Sequence, residues 1–194
     1  MPQFDLRNIK CAKYVNTSGT ISYTNAQTVG DAMTANLELR FAEGRLYAES
    51  ALAEYMKKAT GGSISLGVKY IPTAAQKLMF GSTEKNRNVT VGSSTLSVAG
   101  LVIGAKDTPA YVGIAFYAPD MIDGVEKYTC VFAHKCLFGN PSMSLQTAGD
   151  SINFSTPTTT GEFLASDAST KDMLEVAVCD TEAAAIAWVT AVLA

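Results

Sequence analysis

Along much of this chain, apolar and polar residues alternate with a period of two. Leu37, Leu39 and Phe41 alternate with Asn36, Glu38 and Arg40; Ile64, Leu66 and Val68 alternate with Ser63, Ser65 and Gly67; Ile152 and Phe154 alternate with Asn153 and Ser155. Successive side chains of a strand point to opposite faces, so this spacing predicts strands with one buried and one polar face. Apolar runs at 111–117 and 125–132 flank Asp123-Gly124. Asp-Gly supplies the positive φ that a two-residue turn needs, which predicts a hairpin. Glu43-Gly44 is read in the same way, as the turn of a hairpin between strands at 37–41 and 45–48.

Two segments break the pattern as helices. Pro72 opens the run Thr73 to Phe80 and Gly81 closes it, the expected asymmetry of helix ends. Near the C-terminus, Asp180 or Thr181 can cap, Glu182 suits the positive helix end, and alanines follow. This second helix covers residues 180–194, with Ile186, Val189 and Leu193 on its buried face and Trp188 and Val192 beside them. Residues 82–100 are polar and turn-rich, a surface excursion, and 157–170 look like a bend or linker. No shift in composition marks a second domain, so residues 1–194 are taken as one. The predicted class is mainly β, a sandwich or barrel with one or two flanking α-helices.

Composition narrows the role. Charged residues are 17% of the chain, against about 25% in an average soluble domain. A surface so short of charge fits either deep burial or contact with other subunits. The formal net charge of −3 leaves no clustered basic footprint for gripping nucleic acid. Met1-Pro2-Gln3-Phe4-Asp5 has neither a basic start nor an apolar run, and no segment reaches the ~20 apolar residues of a membrane span. The expectation is a chain folded in a cytoplasm, without a membrane partner.

A search for chemistry returns little. The single histidine, His134, excludes motifs that need two. Gly92-Ser93-Ser94-Thr95-Leu96 lacks the last glycine of a nucleophile elbow. Gly62 to Gly67 has phosphate-loop spacing but is followed by Val68-Lys69. Of the four cysteines, Cys11, Cys130, Cys136 and Cys179, none forms a C-x-x-C pair. Cys130, His134 and Cys136 fall at alternate positions of a predicted strand and could share a face; buried apolar thiols are the plainer reading. Asp120 and Asp123 flank the predicted turn, where Asp is favoured for its own backbone bonds. The aromatics of the central hairpin lack interleaved basic residues, and Trp188 reads as a core anchor. No catalytic residue, cofactor or metal ligand is expected.

Short blocks in order resemble the major tail protein (tail tube protein) family of siphophages. They are Arg45-Leu-Tyr-Ala-Glu-Ser-Ala-Leu-Ala-Glu54; Thr60-Gly-Gly-Ser-Ile-Ser-Leu-Gly-Val68; Ile71-Pro72 leading into Leu78-Met-Phe-Gly81; Ala110-Tyr-Val-Gly-Ile-Ala-Phe116; Asp123-Gly-Val-Glu-Lys-Tyr128; Phe138-Gly-Asn-Pro141; and Gly149-Asp-Ser-Ile-Asn-Phe-Ser-Thr-Pro157 with Gly161. Residues 82–100 have no counterpart in that pattern. The resemblance implies a structural virion protein with a β-sandwich or barrel fold. Its subunits would form rings, usually of six, that stack into a hollow tail tube. Its partners would be other copies of itself, a tape-measure protein and tail-tip or terminator proteins, and DNA would pass through the lumen without specific binding. Its place would be the virion tail, and the host cytoplasm during assembly.

Residues 42–61 are long for a plain hairpin loop. They form either a loop or short helix on their own domain, or an arm that reaches a neighbouring ring. Leu46, Tyr47, Leu52, Tyr55 and Met56 are the apolar residues expected at that self-assembly interface. The competing role is a β-sandwich binding module of a phage or cell-surface adhesin, which would tend to carry a secretion signal or a clustered aromatic site.

Overall fold

The computed structural model describes residues 5–143, 147 and 156–194. Its elements run β1 (Arg7–Thr17), β2 (Thr20–Thr28), β3 (Ala32–Ala48), β4 (Ala51–Val68), α1 (Thr73–Phe80), β5 (Thr83–Val91), β6 (Ser94–Val102), β7 (Val112–Ile122), β8 (Val125–Phe138), β9 (Thr158–Leu164), β10 (Leu174–Cys179) and α2 (Glu182–Ala191). Strands hold 63% of residues and helices 10%, so the fold is mainly β with two flanking helices. One antiparallel sheet has the order β2-β1-β7-β8-β9-β4-β3, with β10 also paired to β8; β5 and β6 form a two-stranded sheet of their own.

Strand β7 is the centre, and its sequence explains why. Every residue from 112 to 120 is buried. Val112, Ile114 and Phe116 enter one apolar cluster, with Ala75, Leu78, Met79 and Phe80 of α1. Ala115 and Tyr117 point the other way, into a second cluster with Ala185 and Val189 of α2 and Leu193 just past its end. A strand covered on both faces is apolar throughout rather than alternating. The first cluster also takes Ile9 and Cys11 from β1 and Ile64, Leu66 and Val68 from β4. Those strands lie toward opposite ends of the sheet order, so the sheet curls around its core.

The helix ends follow the residues that signalled them. Gly81 closes α1 at φ 72°, its N–H donating to the Lys77 carbonyl at 3.2 Å. Thr181 caps α2, its hydroxyl accepting from the Ala184 N–H at 3.2 Å. The buried stripe of α2 is Ala185 and Val189, continued four residues on by Leu193 past the helix end; Ile186, expected in it, is exposed. The small Ala185 lets the helix lie close against β7 and β8, which turns Ile186 outward. Trp188 is half-buried against the same cluster. In the first turn of the helix, Glu182 Oε1 accepts from the Tyr117 hydroxyl at 2.8 Å and pairs with Arg7 at 2.8 Å, tying β1, β7 and α2 together.

Asp123 (φ 51°) and Gly124 (φ 78°) form the predicted turn between β7 and β8. Glu43-Gly44 is not a turn. Strand β3 runs straight through it and reverses at Glu49 (φ 51°) and Ser50 (φ 63°). Residues 158–164, expected in a linker, form β9 between β4 and β8. Residues 82–100, read as a surface excursion, are mostly the exposed β5–β6 hairpin. The strand expected around Ile152 and Phe154 lies outside the described residues.

Candidate functional site

Strands β3 and β4 share the sheet only at their base. Gly62 to Gly67 pair with β9, and Ile64, Leu66 and Val68 are buried. Beyond that, residues 38–58 are all exposed and, among the described residues, the two strands pair only with each other. From Phe41 to Ala48 the ribbon projects about 25 Å, at about 3.3 Å per residue. Leu39 and Phe41, expected on a buried face, are exposed on it.

Two irregularities shape the ribbon. Arg40 pairs with Gly61 and Phe41 with Ala59, which leaves Thr60 as an extra residue. Leu46 pairs with Glu54 and Tyr47 with Leu52, which leaves Ala53 extra. Each such bulge bends and twists the strand that carries it. The first lies where the ribbon leaves the sheet. There Gly61 takes φ 136°, and Arg40 reaches across β4 to pair with Glu162 of β9 at 2.7 Å.

The five apolar candidates divide between the two faces. Opposed residues of an antiparallel pair share a face. Tyr47 and Leu52 are opposed, and Tyr55 is opposed to Arg45 on the same side. Leu46, opposed to Glu54, and Met56, opposed to Gly44, lie on the other side. Met56 is 72% exposed and the other four lie between 50% and 60%. A loop packed on its own domain would bury one face; this ribbon buries neither. The first face is ordered by local charges: Lys57 pairs with Glu43 at 3.2 Å and lies over the Phe41 ring at 4.4 Å, and Arg45 lies over the Tyr55 ring at 5.7 Å. Lys57 holds the Glu43 carboxyl below its ordinary range. These contacts are solvated and weak.

The chemical candidates are dispersed. Cys130 and Phe132 lie in the second cluster, whereas Cys136 lies in the first. A register shift, Val112 opposite Cys136 but Ile114 opposite Ala133, inserts one residue into β8 and reverses the side its later residues face. The three residues read as sharing a face therefore do not. Cys130 instead has Cys179 as neighbour, Sγ to Sγ 3.8 Å. His134 stands where β8 changes partner from β10 to β9, its Nδ1 3.3 Å from the Tyr23 hydroxyl. Asp120 is buried and accepts from Thr129 Oγ1 at 3.3 Å, while Asp123 is in the turn. Gly62 to Gly67 lie within β4. Among the described residues no group of three or more His, Cys, Asp or Glu is placed to hold a metal. No helix there is long and apolar enough to cross a membrane. A groove of about 750 Å³ lies between β3 and β10, lined by Leu37, Ile64, Phe116, Val131, Leu174 and Val176.

Sequence reasoning missed a second exposed ribbon, β5–β6, in which Val89, Val91, Leu96 and Val98 are all exposed. The signal was present: those valines and the leucine recur at a period of two on either side of Gly92. Comparison with protein-family models and with curated proteins finds no match.

Proposed function

We propose that this chain is a structural subunit that assembles with copies of itself, in the manner of the siphophage major tail proteins its sequence resembles. The observation that carries the reading is the β3–β4 ribbon, with large apolar side chains exposed on both faces. A two-stranded hairpin is marginally stable alone in water, and burying each such side chain is worth about 1.5–3 kcal/mol. A partner surface supplies that burial. Along its whole length the outer edge of β3 is unpaired among the described strands, and open edges recruit further strands. Head-to-tail contacts that close make rings, and rings that stack make a filament.

In this reading the ribbon is an arm between rings, and the role is structural rather than catalytic. The assembly is a hollow tail tube, stacked around a tape-measure protein and finished by tail-tip or terminator proteins. The net charge of −3 favours a bore that DNA phosphates slide past rather than grip. The protein acts in the virion tail after assembly in the host cytoplasm. The competing reading is an adhesin-like binding module, and the exposed aromatics Phe41, Tyr47 and Tyr55 on one face of the ribbon are the feature that favours it.

The test is replacement of residues 45–55 by a short Gly-Ser turn, followed by sedimentation velocity over a concentration series. The wild type is expected to sediment as large species above a threshold concentration, and the variant as a folded monomer throughout. Large species of unchanged threshold from the variant would remove the ribbon from assembly.

A further inference from the structure

We propose that the β5–β6 ribbon of one copy is the docking surface for the outer part of the β3–β4 ribbon of another. The inference rests on the self-assembly reading and names the surface that receives the arm.

The pairing of β5 with β6 puts Lys85, Arg87, Val89 and Val91 on one face with Leu96 and Val98. The opposite face holds Asn86, Asn88, Thr90, Thr95 and Ser97 over its outer part, with Ala99, Leu101 and Glu84, which pairs with Lys77 at 3.0 Å, toward the base. The ribbon is thus amphipathic, and its apolar face carries two cations and no acid. Every residue of β5 is exposed, so among the described residues nothing covers this face.

Its complement lies on the β3–β4 ribbon. The face with Leu46 and Met56 carries Glu54, and Glu49 stands at the turn. Among the described residues, Glu49, Glu54, Lys85 and Arg87 make no ion pair within the chain. Lys58 shares the Glu54 face but lies nearer the base, beyond Met56, so the match is with the outer part. The lengths also agree: nine residues in each of β5 and β6 span about 30 Å, against about 25 Å of projecting arm. Apolar area supplies the attraction, and opposed charges set orientation and exclude wrong pairings.

Charge reversal tests the match. The variants are Glu54→Lys, the double variant Lys85→Glu/Arg87→Glu, and all three changes in one chain. All three sites are solvent-exposed, and circular dichroism checks that each variant folds. Either reversal alone is expected to raise the threshold concentration for assembly by about tenfold or more, and the combination to return it to within about threefold of wild type. As a second readout, Met56→Cys and Leu96→Cys chains, mixed and oxidised, are expected to cross-link to each other. Thresholds unmoved by either reversal, or a combination no better than its parents, would overturn the docking surface while leaving self-assembly standing. A wild type that never assembles would remove the underlying reading instead.

Discussion

The ring of Phe163 on β9 fills the space over Gly62 on β4 where any other residue would carry its side chain. A Cβ at Gly62 would lie 2.2 Å from Phe163 Cζ and 2.2 Å from the Glu38 carbonyl oxygen. The contact sits at the step where β4 stops pairing with β9 and becomes a free ribbon, so it fixes the base of the arm.

Gly62→Ala is therefore expected to destabilise the protein by about 2 kcal/mol or more, because neither the ring nor the β3 backbone can yield cheaply. Gly44→Ala is the contrast, since a Cβ there meets nothing within 4 Å. It is expected to be neutral, or to stabilise by up to about 1 kcal/mol, because glycine inside a strand is unfavourable. Chemical denaturation of the two variants separates them; a large loss from Gly44→Ala would restore the turn once expected there.

Ser50→Gly is expected to slow hydrogen exchange at the ribbon tip about fivefold. Glu49 and Ser50 both hold positive φ, which costs an L-residue about 1–2 kcal/mol, and glycine relieves that strain at one of them. Unchanged or faster exchange at Tyr47 and Leu52 would count against this turn.

These cases also show what the sequence disclosed and what it hid. Asp123-Gly124, Pro72 and Gly81 marked real boundaries because each residue suits the backbone angle it adopts. Glu43-Gly44 misled because the true turn uses Glu49 and Ser50, which have no strong preference for it. Leu39 and Phe41 alternate like residues of a core strand, and periodicity cannot distinguish burial in the chain's own core from exposure on an arm. Cys136 was misplaced by an inserted residue in β8 that leaves no local mark. The five apolar residues of the arm were legible individually; their division between two faces depends on a bulge at Ala53.

Stability is expected to fall in two stages as the pH is lowered. Burial lowers the His134 pKa from 6.5, with Asp172 and Glu175 opposing more weakly. The unfolded chain then binds a proton more readily just below about pH 6.5, so stability is lost as pH falls from there through the folded value. The carboxyls of Asp167 and Asp180, held low by Lys135 and Lys127, contribute above their ordinary range and are lost only at lower pH. His134→Gln is expected to abolish the upper step alone in pH-dependent denaturation; persistence of that step would assign it elsewhere.

Thiol labelling reports the core directly. Burial pushes the Cys11 and Cys130 thiols up to about 12, and raises Cys136 as well. Brief alkylation of the native protein near pH 8 is expected to spare these three and to reach at most the partly exposed Cys179; denaturant exposes all four. Rapid native labelling of Cys136 would contradict the sheet register that places it in the core.

The account depends most on self-assembly, and negative-stain electron microscopy of the untagged protein over a concentration series tests it most directly. The prediction is hollow filaments of constant width with a regular axial repeat above a threshold concentration. Monodisperse particles the size of one subunit at every concentration would contradict it.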